Sequence, residues 1–310
     1  MYEKVVGSKK TLMELDLLTK YPYSEQLITH SRFDYIYISP HLDDVPLSCS
    51  GTICRQQAQG LNILVVTTFA GEPQPPFSPF VQSVHRSWHA PEERPYQVRK
   101  EEERKAMALL GADYAWLDWF EILYRDPELS DANDFFWEPG TSVVSSRDAA
   151  LFTTLCTWLA DASLEYPDVQ FVVPLGLGMH RDHQFVFQAA LNTLDCERVL
   201  FFEDFPYATY YSKDELIEYV RPYNMSFMEV DISECLEQRI AASEAYQSQI
   251  PTLFYMASSF RELIRAYTLE AGKQQRPIER YWRCPGNFPK GPASAIGALS
   301  LIAHNSGLST

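Results

Sequence analysis

The 310-residue chain is 46% hydrophobic and 14% aromatic, which supplies material for a sizeable core and excludes global disorder. A formal charge of −15 with no Lys/Arg cluster argues against nucleic acid or an anionic membrane surface as a partner. No apolar run approaches membrane-spanning length, and the charged stretch "MYEKVVGSKKTLMELDLLTKYP" lacks a secretory apolar segment, so no membrane insertion and a cytoplasmic location are expected.

In chain order, "YIYIS" predicts a strand and a helix begins near Pro46. "NILVVTTF" (Asn62 to Phe69) predicts a second strand, and "YQVRKEEERKAMALLGA" a helix ending at Gly111. "YAWLDW" reads as a third strand, "AALFTTLCTWLADASLEY" as a helix, "VQFVVPLG" as a strand, "DHQFVFQAALNTL" as a helix and "RVLFFE" as a strand. Such alternation predicts an α/β domain with a mostly parallel sheet covered by helices, and ligands in these sheets bind beyond the carboxyl ends of the strands. Two irregular insertions, near 70–95 and 120–147, interrupt one domain spanning 1–310; no element is assigned from about Lys273 onward. Cys49, Cys54, Cys156, Cys196, Cys235 and Cys284 are scattered with no close CxxC pair, which favours reduced thiols over a disulfide framework or a thiolate zinc site.

The polar chemistry gathers at two strand ends. "SPHLDDVPLS" follows the first strand and carries His41, Asp43 and Asp44. "VVPLGLGMHRDHQFVF" follows another and carries His180, Asp182 and His183, so three of only seven histidines fall at these two places. Zinc favours imidazole nitrogen and carboxylate oxygen, and a catalytic site uses three protein ligands with one position open. A dication would also explain the repelling aspartates, neutralising one carboxylate and leaving the other free to handle protons. The bland alternatives are a helix N-cap for an aspartate, Asp182 included, and a surface role for a histidine.

These residues resemble the LmbE-like, or PIG-L-like, zinc-dependent N-deacetylases, whose (P/A)HPDDE and HxDH motifs read "PHLDDV" and "HRDH" here. "RKEEERKAMALLGAD" is similar to that family's RxxE…A…LG helix, with Arg99, Glu102, Ala106 and Gly111 in step. Asp118 matches the polar position that follows, and "EQRIAASEAYQSQI" resembles the family's C-terminal segment; the likeness covers roughly residues 34 to 250. Leu42 replaces the motif's Pro and Val45 its Glu, a pattern similar to the branch acting on amino sugars and glycosylated natural products. The resemblance implies a Rossmann-like, mostly parallel sheet flanked by helices, with the active site at the C-terminal ends of the strands. It implies a hydrolase that removes an N-acetyl or N-acyl group from a small-molecule amino sugar or glycoconjugate. His41, Asp44 and His183 would bind Zn2+, and Asp43 would be the general base. His180, protonated and oriented by Asp182, would steady the oxyanion, while Arg99 and Asp118 would touch the sugar.

The alternatives are an amidase of a sugar-thiol or lipidated glycoside conjugate, and a metal- or ligand-binding relative without catalysis. A dinucleotide-binding enzyme is disfavoured because no GxGxxG follows the first strand. His85, Trp88 and His89 read as loop side chains, and Glu203, Asp204 and Tyr207 as a pocket border in which Asp204 and Pro206 form a turn. The oligomeric state is open, a homo-oligomer included.

Overall fold

The computed structural model describes residues 16–90, 94–138, 141–254, 259–284 and 286. The reading of residues 1–15, and parts of both insertions at 91–93 and 139–140, lie outside them. The described strands are β1 (Tyr23–Leu27), β2 (Tyr35–Ser39), β3 (Ile63–Thr67), β4 (Asp113–Leu117), β5 (Gln170–Pro174), β6 (Val199–Phe202), β7 (Ser226–Asp231) and β8 (Ile278–Arg283). The helices are α1 (Asp16–Lys20), α2 (Asp44–Ala58), α3 (Pro79–Ser87), α4 (Gln97–Leu110), α5 (Ile122–Arg125), α6 (Ala149–Glu165), α7 (Arg181–Thr193), α8 (Lys213–Val220), α9 (Leu236–Ser243), α10 (Ile250–Leu253) and α11 (Phe260–Ala271). None of them is long and apolar enough to cross a membrane.

One sheet runs in the order β1-β4-β3-β2-β5-β6-β8-β7. Its centre, β4-β3-β2-β5-β6, is parallel, while β1, β8 and β7 add antiparallel edges. The alternation of β3 shows how the layers form: Leu64 and Val66 face the core shared with α6 and α7, while Ile63 and Val65 face the core shared with α2 and α4. A two-residue side-chain period on a sheet buried on both faces requires this apolar run. Gly111 ends α4 at φ +66°, the left-handed turn that glycine adopts without a Cβ penalty.

From β2 the chain moves outward through β3 to β4, then returns to the other side of β2 to form β5 and β6. This reversal opens a crevice at the carboxyl ends of β2 and β5, where ligands bind in open α/β sheets. Both polar motifs begin there.

Late strand β8, in the segment where no element was assigned, stabilises the helix behind the first motif. Glu279 on β8 accepts hydrogen bonds from the Gly51 and Thr52 N–H groups of α2 at 2.9 and 2.8 Å, and pairs with Arg239 of α9 at 3.0 Å. Arg239 also donates to the Leu47 carbonyl at 3.0 Å. Every member is buried. Removing one half strands the other charge, so Glu279→Ala should cost about 3–5 kcal/mol in urea unfolding. Arg239→Met with Glu279→Leu should recover much of that loss.

Candidate metal centre

The loop between β2 and α2 delivers His41, Asp43 and Asp44, all buried. The Ser39 hydroxyl accepts from the Val45 N–H at 3.1 Å, and the His41 N–H donates to Asp44 Oδ2 at 2.7 Å, so the turn closes on itself. Leu42 and Val45 are fully buried in the apolar layer beneath, and the Leu42 carbonyl accepts from the Tyr246 hydroxyl at 2.9 Å. The two departures from the family motif therefore form an apolar floor braced by "EAYQSQI". Glu102 holds the same segment, accepting from the Ser248 N–H and hydroxyl at 2.7 Å each.

The second motif arrives through "GLGMH". Gly176 and Gly178 sit at φ +78° and +76°, and a Cβ on Gly178 would come within 2.4 Å of the Tyr207 ring. Only glycine allows this close turn, which brings His180 and His183 over the end of β2.

Asp44 lies between two imidazoles. Its Oδ2 is 3.2 Å from His41 Nδ1, and its Oδ1 is 3.2 Å from His183 Nε2. The far nitrogen of each ring meets another buried carboxylate: His41 Nε2 is 3.0 Å from Asp182 Oδ2, and His183 Nδ1 is 2.7 Å from Asp204 Oδ1. An ionised carboxylate only accepts, so the outer nitrogens carry protons; the inner nitrogens face Asp44 through protons as well, and a divalent cation would take the place of those two protons. Two nitrogens and a carboxylate converging in this way form a donor set suited to a divalent cation, and outer carboxylates are the usual partners of metal-binding histidines. One nitrogen each of His41, His180 and His183 also lie within 4.8 Å of one another, so His180 borders the same point.

The electrostatics ask for positive charge here. Burial lowers the His41 pKa, but Asp44 and Asp182 outweigh it and raise it to about 9. Burial likewise opposes charge on His183, and Asp44 and Asp204 push its pKa well above the usual value. Against its own burial, Asp44 is held well below the carboxylate range by His183 and His41. A divalent cation brings the same two positive charges to this pocket.

His180 differs. Burial and repulsion from His41 and His183 push its pKa well down, and its Nδ1 accepts the Asp182 N–H at 3.2 Å. A ring proton therefore sits on Nε2, and burial with these two neighbours disfavours the protonated ring that the resemblance implies. The expected Asp182–His180 pairing is also corrected: the Asp182 carboxylate fixes His41, and His180 itself caps α7.

Arg99 is buried, its Nη2 2.9 Å from Asp43 Oδ1 and its Nη1 3.3 Å from Glu121 Oε2. Trp88 and Tyr96 lie against the guanidinium at 4.8 and 5.3 Å from the ring centroids. In this structure it holds the Asp43 carboxylate instead of facing open space for a sugar. Asp43 occupies the N-cap position of α2 without capping it, which removes the bland reading of that residue. Asp118 is exposed at the end of β4, where its backbone pairs with Phe69. Glu121, three residues on, is the acid that reaches the centre.

Asp204, read as a turn residue, fixes His183, and Tyr207 places its ring edge on His183 at 5.6 Å. Glu203 instead ties β8 together, accepting from Arg280, Trp282 and Tyr267. His85 is buried against Tyr124, and Trp88 is also buried, so neither is a solvent-facing loop side chain; His89 is exposed.

The profile of the family described as PIG-L: GlcNAc-PI de-N-acetylase matches residues 36–194, just over half of the chain. The chain belongs to this family. As a PIG-L member it is an amide hydrolase of the deacetylase type. The 2'-N-acetylparomamine deacetylase of Niallia circulans is 27% identical over 193 residues, covering 56% of this chain and 67% of that protein. The zinc-inhibited form of teicoplanin deacetylase Orf2 superposes with a TM-score of 0.65 at 26% identity, covering 80% of this chain and 97% of the other. The A40926 pseudoaglycone deacetylase Dbv21 shares the fold, with a TM-score of 0.66 at 22% identity over 81% and 97% of the two chains. The family match stops at residue 194, before Asp204, Arg239 and Glu279.

Asp204→Asn should leave the fold intact while freeing the His183 ring. A chelator competition titration should show metal affinity lowered about 10–100-fold.

Proposed function

We propose that the protein is a zinc-dependent deacetylase that removes the N-acetyl group of an amino sugar within a glycosylated small molecule. The observation that carries this reading is the Asp44 carboxylate held between two imidazole nitrogens whose outer sides are fixed by Asp182 and Asp204. His41, Asp44 and His183 hold the metal. When bound, zinc supplies Lewis acidity, polarising an acyl carbonyl and making water a stronger nucleophile near neutral pH.

Asp43 stands next in sequence to Asp44 and is the general base, taking the proton of the attacking water and returning it to the leaving amine. Arg99 fixes that carboxylate, and Glu121 in turn fixes Arg99. The neutral His180 donates its Nε2 proton to the oxygen that gains charge in the tetrahedral step; a preorganised neutral donor serves here without a full charge. The substrate class rests on two kinds of support. Relatives at 25–27% identity are named for acting on 2'-N-acetylparomamine and on teicoplanin. Around His180, aromatic rings line the approach: Phe135 stacks on it at 5.8 Å, Phe136 meets it edge-on at 6.0 Å, and Phe80 packs on Phe135. Such rings suit the apolar face of a pyranose ring or an attached aglycone. The six cysteines form no disulfide among the described residues, which supports a reducing compartment, and in this reading the reaction is cytoplasmic.

The test is metal analysis together with amine release across a panel of N-acyl glucosamine derivatives and glycosides. Zinc at one equivalent, with activity lost to a chelator and restored by zinc, is the expected result. Protein that takes up no zinc sinks the reading. Asp43→Ala should keep its zinc and lose about 10²–10⁴-fold in kcat; retained turnover in the metal-replete variant would remove the base assignment.

A further inference from the structure

We infer that Arg125, on α5 in the second insertion, is a positioning residue that sets the affinity of the metal centre through Asp182 and His41. The inference rests on the reading of His41 as a metal ligand. It begins with a guanidinium whose position leaves it no freedom. Arg125 Nη2 is 2.8 Å from Asp182 Oδ1, Nε is 3.0 Å from Asp148 Oδ1, and Nη1 donates to the Phe120 carbonyl at 2.6 Å. The Phe69 and Phe185 rings close over it, their centroids 4.6 and 5.4 Å from the guanidinium carbon. Phe69 also lies against the His41 ring, at 6.4 Å.

The other oxygen of Asp182 accepts from His41 Nε2 at 3.0 Å and from the Ile122 N–H at 2.9 Å. One turn of the insertion thus grips both oxygens of a fully buried carboxylate, and that carboxylate fixes the ring orientation of His41. A carboxylate fixed on an imidazole N–H makes the opposite nitrogen a better donor and aims its lone pair. Without Arg125, Oδ1 of this fully buried carboxylate would lose its partner, and Asp182 would be free to turn away from His41. The same turn starts at Glu121, whose carboxylate steadies Arg99 on Asp43. An acidic surface insertion therefore braces both the ligand side and the base side of the centre.

Lysine keeps the charge of Arg125, but its three N–H groups share one nitrogen and cannot reproduce the planar fork that reaches these acceptors from Nε, Nη1 and Nη2. The experiment measures zinc affinity of wild type, Arg125→Lys and Asp148→Asn by competition with a chromophoric chelator. It also records the visible spectrum of each Co2+-substituted protein and the urea unfolding of each metal-free protein. Arg125→Lys should bind zinc about 10–100-fold more weakly and show a shifted Co2+ spectrum, a change that loss of general stability would not produce. Asp148→Asn loosens Arg125 without touching Asp182 and should move both readouts in the same direction by a smaller amount. Wild-type protein that binds no zinc would defeat the reading of His41, Asp44 and His183 itself. Wild-type binding with unchanged affinity and Co2+ spectrum in Arg125→Lys overturns the inference. Should Arg125→Lys fail to fold, unchanged values in Asp148→Asn overturn it instead.

Discussion

The Asp44 carboxylate lies 3.2 Å from an imidazole nitrogen on either side, buried at the start of a helix, and the rest of the site is arranged to keep that anion there. A helix N-terminus favours a negative charge, which helps. It does not suffice, because Asp43, Glu121, Asp182 and Asp204 are buried in the same region. Uncompensated, so many carboxylates would not stay charged in a dry pocket. Arg99 compensates Asp43 and Glu121, and Arg125 compensates Asp182. What remains is a demand for positive charge centred between His41 and His183, met by protons on the imidazoles or by a divalent ion.

This division explains why the two aspartates of "HLDD" are not redundant. They leave the chain one residue apart yet face different partners: Asp44 the histidines, Asp43 the guanidinium of Arg99. The split depends on the start of α2 following the strand end at once, so that successive side chains leave in different directions. The helix is in turn held from behind by Glu279 of β8, more than two hundred residues later in the chain. The chemistry sits on local motifs, and long-range polar ties keep those motifs in place.

The parallel centre of the sheet was legible because its strands are continuous apolar runs separated by helical periods. The three antiparallel edges were not. β1 ("YSEQL") and β7 ("SFMEVD") mix polar and apolar residues, and β8 carries the charged Glu279 and Arg280 at buried positions, which breaks the apolar pattern of a strand. Similar reasons apply at the site. His41, Asp43, Asp44, His180, Asp182 and His183 stood out because they cluster at strand ends. The partner of Asp182 did not, since His41 is 141 residues away and only the fold brings them together. Asp204 looked like a turn residue because it precedes Phe-Pro, and nothing local marks a carboxylate aimed at a distant histidine. Glu121 and Arg125 were hidden in the irregular insertion near 120–147, where no residue was singled out. For both, the available signal was a charged residue a few positions past the end of β4.

The insertions also make the site asymmetric. Toward the sheet it is polar and charged, with carboxylates and guanidinium groups paired to one another. Around His180 it is aromatic: Phe135 and Phe136 come from the second insertion, Phe80 from α3 of the first, and Phe80 packs on Phe135 at 5.8 Å to join the two. His180 lies at the boundary, stacked on Phe135 outside and set edge-on to His41 at 4.9 Å inside. Burial there and the two neighbouring imidazoles disfavour a charge on the ring. The same insertions thus place aromatic rings beside His180 on one side and fix the carboxylates of the centre on the other.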